Sequence, residues 1–80
     1  MKKKVYVAQR DRLTTIMREL RLEAALTQTE LASRLQKDQA YVSRYESGQR
    51  RLDILEVREI CQALGIKFEE FARMLEKALK

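Results

Sequence analysis

The 80-residue sequence contains no histidine and no proline, only one cysteine and two glycines. Without histidine, neither a Ser-His nor a Cys-His catalytic pair can form, and no cluster of residues has zinc or calcium spacing. No glycine-rich loop is present that could bind a nucleotide. We therefore predict that the chain is not an enzyme and holds no metal or cofactor. Because a β-rich fold needs turn residues about every 8 to 12 positions, the scarcity of glycine and proline favours helices.

Long apolar runs are absent as well, since no segment approaches the roughly 20 residues of a membrane span. The basic start is not followed by the apolar stretch of a signal peptide. Cys61 is the single cysteine, which is typical of a reduced intracellular compartment, and we interpret it as a core thiol. We expect one cytoplasmic domain with no membrane contact.

The formal net charge of +5 is unevenly distributed along the chain. Residues 1–12 carry a net charge of +4 and residues 13–52 carry +2, whereas residues 53–80 carry −1. This polarity favours a polyanion bound on one side of the domain. Charge alone does not decide the matter, because many soluble proteins are basic without binding nucleic acid.

Hydrophobic periodicity predicts an all-α fold, a compact bundle of five helices in residues 10–80. Thr27 and Asp53 each precede a glutamate by three residues, the spacing of a capping box, and predict the starts of two helices. Gly48 and Gly65 predict two helix ends. The inner face of the fourth helix is predicted to comprise Ile54, Val57, Ile60, Cys61 and Leu64. The predicted helices span residues 10–24, 28–35, 39–47, 54–64 and 68–79, after a basic N-terminal arm over residues 1–9.

The second and third predicted helices are separated by a three-residue turn, residues 36–38, which is typical of a helix-turn-helix. In this motif the second helix can enter the major groove while the first crosses the DNA backbone. Ala32 is small enough for close helix crossing, and Val42 and Tyr45 are expected to point inward. Amide, hydroxyl and guanidinium groups on the outer face match base edges. That outer face comprises Gln39, Ala40, Ser43 and Arg44, with Ser47 at its end.

The residues of this motif resemble a known family. Leu26-Thr27-Gln28-Thr29-Glu30-Leu31-Ala32, followed by Val42-Ser43-Arg44-Tyr45-Glu46-Ser47-Gly48, is similar to the phage-repressor helix-turn-helix domains, the Cro and XRE-like proteins. The resemblance covers residues 12–71 without a gap and implies a lambda-repressor-like bundle that binds double-stranded DNA. Gln36 departs from the pattern, since most relatives have glycine where the turn needs a left-handed residue.

The resemblance also implies roles for individual residues. Gln28 matches the residue that binds a backbone phosphate and braces the recognition helix. Arg21 and Glu46 match a pair that forms a salt bridge between the first and third helices in some members. The base-reading positions of the family correspond to Gln39, Ala40, Ser43 and Arg44. Its further phosphate-contacting positions correspond to Ser47 and, in the following loop, to Arg50 or Arg51.

These features predict a sequence-specific transcriptional regulator, a repressor, similar to the controllers of restriction systems, antitoxins and phage-type regulators. A single recognition helix contacts only a few base pairs, so a homodimer that binds two half-sites is expected. The wide apolar face of helix 68–79 exceeds what a four-helix core needs, and we interpret it as the dimer surface. We expect no small-molecule ligand.

Two alternatives stay open. The domain could be an antitoxin or adaptor that keeps the fold as a protein-interaction module, which acidic or apolar residues on the outer face of the third helix would favour. It could also bind nucleic acid without sequence preference, RNA included, although the deep major groove of A-form RNA excludes a helix. Tyr41 either stacks on the DNA backbone or is only exposed, and the lysines at positions 2–4 are either solvated or contact phosphate.

Overall fold

Five helices follow one another in the computed structural model, which describes residues 3–80. Their number and order confirm the predicted all-α, lambda-repressor-like class, and no strand occurs among these residues. The helices are α1 (Lys3–Glu23), α2 (Gln28–Leu35), α3 (Gln39–Glu46), α4 (Ile54–Leu64) and α5 (Phe68–Leu79).

Side-chain caps fix the starts of three helices. At α2, the Thr27 hydroxyl accepts a hydrogen bond from the Glu30 amide at 3.0 Å, and the Thr27 amide donates to the Glu30 carboxylate at 2.9 Å. Asp53 and Glu56 form the same reciprocal pair at α4, with distances of 2.8 and 3.0 Å. The Asp38 carboxylate caps α3 by accepting from the backbone amide three residues later, at 3.0 Å. Both predicted capping boxes are therefore confirmed.

The N-terminal arm predicted over residues 1–9 is wrong for the described part of that segment, because α1 begins at Lys3 rather than at Arg10. No glycine or proline interrupts residues 3–23, and lysine, alanine and glutamine are good helix formers. Arg10 connects this early part of α1 to the motif, since its Nη2 donates to the Gly48 carbonyl oxygen at 2.9 Å. Residues 1 and 2 lie outside the described residues. The phosphate contact considered for the lysines at positions 2–4 falls on side chains that lie outside the described part of the structure as well.

The core forms where α2 packs against α3 and α4, and where α1 packs against α3 and α5. Ala32 is buried in α2, in keeping with its small size. Each large apolar side chain that is fully buried stabilises the fold by about 1.5–3 kcal/mol. Cys61 is fully buried, so it is the core thiol that was predicted, and this burial raises the pKa of the thiol to about 11. The fully buried side chains include Met17, Leu31, Val42, Tyr45, Ile60 and Cys61.

One prediction about an apolar face is wrong, and a second stays a prediction. Ile54 is 69% exposed instead of lying on the inner face of α4, and Leu55 is 72% exposed. The core contacts α4 only from Val57 onward, so the first turn of the helix extends past it. Part of the apolar face of α5 packs within the chain, against α1 and α4, and the use of this face as a dimer surface stays a prediction. Phe71 is buried, and Met74 is 39% exposed. The remaining α5 residues that pack against the core are Phe68, Leu75 and Ala78.

Candidate nucleic-acid interface

The turn between α2 and α3 has the geometry that the motif needs. Gln36 adopts φ 57° and ψ 40°, which is the left-handed conformation usually reached with glycine. A non-glycine residue there costs about 1–2 kcal/mol. The Lys37 amide donates to the Ala32 carbonyl oxygen at 2.9 Å and closes the end of α2. The departure from the family pattern therefore lies in the residue type and not in the turn.

The recognition helix α3 has one buried side and one side that faces solvent. Val42 and Tyr45 are 0% and 1% exposed, and they hold the helix against the core. The predicted base-reading residues lie on the opposite side, and their contact with bases stays a prediction. Gln39, Arg44 and Ser47 are exposed, and Ala40 and Ser43 are half-buried.

A buried ion pair connects α1 to the end of α3. Arg21 and Glu46 form the pair that the resemblance implies, with Nε–Oε2 at 2.7 Å and Nη2–Oε1 at 3.1 Å. Their side chains are only 8% and 4% exposed. Nη1 of Arg21 also donates to the Leu26 carbonyl oxygen at 2.8 Å. The hydrogen bond to Glu46 raises the pKa of Arg21 despite the opposing effect of burial, so the guanidinium stays charged.

Gln28 extends this network to the start of the recognition helix. Its Nε2 donates to Glu46 Oε1 at 3.1 Å, and its Oε1 accepts from Gln39 Nε2 at 2.7 Å. Hydrogen bonds in such a chain polarise one another and orient its members. Gln28 therefore braces Gln39, as the resemblance implies, and its contact with phosphate stays a prediction.

A second group of polar side chains, the Tyr41 cluster, comprises Lys37, Tyr41, Arg50 and Glu56. The Arg50 guanidinium carbon lies 4.7 Å and the Lys37 ammonium 5.5 Å from the centre of the Tyr41 ring, within the range of cation–π interactions. Glu56 Oε2 accepts from Arg50 Nη2 at 2.9 Å and from the Tyr41 hydroxyl at 3.5 Å. Tyr41 is half-buried and packed in this cluster rather than simply exposed. Its contact with the DNA backbone stays a prediction.

The loop after α3 brings two predicted phosphate-contacting residues next to the helix end. Gly48 adopts φ 83°, a conformation that glycine reaches without steric strain, and it lets the chain turn directly after α3. The Arg44 carbonyl oxygen accepts from the amides of Gln49 at 2.9 Å and Arg50 at 3.1 Å, which holds the loop against the helix. Arg51 follows as an exposed residue.

No sequence pattern indicated the second role of Glu56 or the position of Lys37. The glutamate was identified only as the capping residue of α4. Its bond to Arg50 spans six residues across a loop, so no helical spacing indicates it. Two basic residues and an aromatic residue close to a recognition helix were the only available signal.

Within residues 3–80, no group of three or more potential ligands is placed to hold a metal ion. The helices of this part of the chain are all too short or too polar to cross a membrane.

Comparison with known proteins decides the family. A family model for helix-turn-helix domains matches residues 17–71. A solved XRE-family-like protein from Pseudomonas syringae pv. tomato str. DC3000 is 35% identical and superposes with a TM-score of 0.87, over 94% of this chain and 92% of its own. The chain belongs to the XRE family of helix-turn-helix proteins. Members of this family are DNA-binding transcription factors, so this XRE-family domain is a DNA-binding transcriptional regulator and not an enzyme.

Other solved structures extend the comparison for the XRE-family domain. The restriction-modification controller protein C.Esp1396I is 28% identical, with a TM-score of 0.82 over 89% of this chain and 93% of its own. A further structure shows that controller as a tetramer in complex with its natural 35 base-pair operator, with a TM-score of 0.81 over the same shares of both chains. No curated protein matches the chain significantly.

Proposed function

We propose that this XRE-family domain is a sequence-specific repressor that reads B-form operator DNA in the major groove with α3. The outer face of α3 is the observation that carries the proposal. It bears groups that pair with base edges, while Val42 and Tyr45 on the opposite side are buried and hold the helix in place. Repression requires only that the bound domain occupies its operator. Gln39 suits adenine, Arg44 suits guanine, Ser43 suits either, and Ala40 suits the thymine methyl group.

Residues around this face would contact the DNA backbone. Gln28 is the first residue of α2, where the unpaired amides of a helix start attract phosphate. Arg50 and Arg51 lie in the loop that follows α3. Their positive charge would attract the backbone phosphates on the side of the groove opposite to the phosphate at Gln28. Such contacts fix the register of the protein on the duplex without reading its sequence. The proposed backbone contacts are Gln28, Tyr41, Ser47, Arg50 and Arg51.

We also propose that the domain acts as a homodimer. The controller C.Esp1396I, which occupies its operator as a tetramer, supports both a duplex DNA partner and oligomerisation. The expected dimer surface on α5 is smaller than its sequence suggested, because part of its apolar face packs internally. Met74 of α5 remains exposed. Ile54 and Leu55, at the start of α4, have higher exposed fractions than the other exposed large apolar side chains that the structure describes. These three residues are the proposed contacts.

The polar character of the α3 outer face disfavours the alternative of a protein-interaction module. An adaptor that had lost DNA binding would not need an amide, a hydroxyl and a guanidinium group there, as Gln39, Ser43 and Arg44 provide. A repressor acts where the operator DNA is, so we propose that the protein works in the cytoplasm.

Selection of binding sites from a pool of random duplexes tests the proposal. We expect a preferred site with two inverted half-sites about one helical turn apart, which reports the dimer geometry. Arg44→Ala should weaken binding to the selected duplex by about 1–3 kcal/mol per half-site and relax the preference at one position. Arg73→Ala removes the same charge from an exposed position of α5 and should retain the preference. A pool that yields no preferred sequence, or an Arg44→Ala variant with unchanged preference and affinity, would contradict the proposal.

A further inference from the structure

The Tyr41 cluster contains one acidic side chain among groups that otherwise suit a polyanion. Arg50 and Lys37 both lie within 6 Å of the Tyr41 ring centre, at 4.7 and 5.5 Å. Glu56 is the counter-charge to Arg50, and the two side chains are 25% and 39% exposed. A carboxylate beside a proposed phosphate contact repels the phosphate, so its presence there needs an explanation.

The two oxygens of Glu56 have different partners. Oε1 accepts from the Asp53 amide at 3.0 Å and completes the capping box of α4. Oε2 accepts from Arg50 Nη2 at 2.9 Å and from the Tyr41 hydroxyl at 3.5 Å. The capping box needs only Oε1, and glutamine can replace glutamate in this role. The negative charge of Glu56 is therefore not needed for the capping box, and it acts on Arg50 and Tyr41.

We propose that Glu56 is a specificity-determining positioning residue, which holds Arg50 on the Tyr41 ring so that Arg50 does not contact phosphate indiscriminately on duplexes of every sequence. The inference rests on the proposed function, since it concerns two of the proposed backbone contacts. An arginine on an unrestrained loop attracts DNA of every sequence, because the attraction is Coulombic. An arginine held in one place contacts phosphate only when the duplex is docked in register with α3.

The bond to Glu56 does not prevent Arg50 from contacting DNA. A guanidinium group has five donors, and only Nη2 of Arg50 is paired with the carboxylate. Its Nη1 donates to the Arg51 carbonyl oxygen at 3.3 Å, which is a long bond. Glu56 thus fixes the direction of the guanidinium and neutralises part of its long-range charge. Both effects lower binding to random DNA more than binding to the operator.

Glu56→Gln tests the inference, because it removes the charge and keeps the side-chain shape and the capping box. The probes are the duplex selected most tightly from a random pool and a random-sequence duplex of equal length, each at several salt concentrations. We expect affinity for the random duplex to rise about threefold, the order of effect of one exposed ion pair. The slope of the logarithm of the binding constant against the logarithm of the salt concentration should become steeper by up to about 0.9. This is the change expected when one more phosphate is neutralised. The ratio of selected to random affinity should fall.

Two further variants separate positioning from simple charge. Glu76→Gln removes the same charge from an exposed position on α5, away from the Tyr41 cluster, and should leave the affinity ratio unchanged. In an Arg50→Gln background, Glu56→Gln should have no further effect on the ratio, since Glu56 acts through Arg50. Circular dichroism of each variant checks that the fold is intact.

The outcomes distinguish the two proposals. A wild-type chain that binds selected and random duplexes equally would overturn the proposed function and this inference with it. A selective wild-type chain whose Glu56→Gln variant behaves like Glu76→Gln would overturn this inference alone. An effect of Glu56→Gln that persists in the Arg50→Gln background would also overturn it.

Discussion

Two ion pairs adjoin the recognition helix and differ mainly in their exposure to water. Arg21–Glu46 and Arg50–Glu56 have almost equal lengths of 2.7 and 2.9 Å. The side chains of the first pair are 8% and 4% exposed, whereas those of the second are 39% and 25% exposed. A buried charge needs its partner, because it has lost its water, whereas water and salt weaken an exposed pair. Equal geometry therefore has different consequences: the first pair belongs to the fold and the second is accessible to DNA.

Each pair is also connected to a different part of the DNA-facing surface. The buried pair leads through Gln28 to Gln39, at the start of α3. The exposed pair contacts the hydroxyl of Tyr41, on the first turn of α3. The first connection orients a base-reading residue, and the second orients backbone contacts. Breaking each pair in turn should therefore change different measured quantities.

Arg21→Ala should have the largest effect, on stability. It leaves Glu46 buried without its cation, and loss of one partner of a buried pair costs about 3–5 kcal/mol. Urea unfolding followed by circular dichroism measures this loss. Arg50→Ala, at the exposed pair, should leave the unfolding midpoint close to that of the wild type and instead weaken DNA binding.

The double variant Arg21→Met/Glu46→Leu separates the penalty of an orphan charge from the contribution of the pair itself. It should recover part of the stability that Arg21→Ala loses, because no unpaired charge remains. Equal losses of stability for Arg21→Ala and Arg50→Ala would show that burial does not distinguish the two pairs.

The exposed pair should also depend on pH. The hydrogen bond from Arg50, followed by that from the Asp53 backbone, holds the pKa of Glu56 below its ordinary value of 4.5. Because the folded pKa is lowered, this stabilisation is fully present above the ordinary value and is lost as the pH falls through the folded value. The stability difference between wild type and Glu56→Gln should be no more than about 1 kcal/mol at pH 7 and should vanish in acid.

Thermal melts of both proteins between pH 7 and pH 2.5 measure this difference. In an Arg50→Gln background, the pH-dependent part of the difference should be smaller, because the largest cause of the pKa shift has been removed. A difference that grows as the pH falls would contradict the assigned direction.

The fold was predicted well where its signals are local. The capping boxes at Thr27 and Asp53 and the helix end at Gly48 depend on residues within three or four positions, which sequence shows directly. The start of α1 was wrong because helix formers continue back to Lys3 without a stop signal. The inward position of Ile54 was wrong because periodicity identifies the face of a helix but not how far the core extends along it.

The same distinction applies to the candidate interface. Periodicity was enough to place Gln39 and Arg44 on the outer face of α3, since inward Val42 and Tyr45 fix that face. The Arg21–Glu46 pair spans 25 residues, and only resemblance to a family indicated it. The Arg50–Glu56 bond crosses a loop, where neither helical spacing nor the family pattern indicates a partner. Contacts across turns depend on the geometry of the loop. No regular spacing in a single sequence predicts that geometry.

Tyr45 lies between the two ion pairs, and a conservative substitution there should have the smallest effect on stability. Its ring packs edge-on against Tyr41 at 5.6 Å between centres, and it directly precedes Glu46. Burial raises the pKa of its hydroxyl, which therefore stays protonated. Within residues 3–80, this hydroxyl has no hydrogen-bond partner. The structure thus connects the two pairs through the packing of the ring and not through hydrogen bonds of the hydroxyl.

Tyr45→Phe should therefore leave the free energy of unfolding unchanged or raise it by up to about 1 kcal/mol, because it removes an unsatisfied buried polar group. DNA affinity should not change. Tyr45→Ala removes the ring as well and should lose about 3–5 kcal/mol, as for other large aromatic side chains in a core. Urea unfolding of the two variants compares ring and hydroxyl directly. A loss of about 1 kcal/mol or more for Tyr45→Phe would equal or exceed a typical net hydrogen bond, and would show that the hydroxyl makes a stabilising contact.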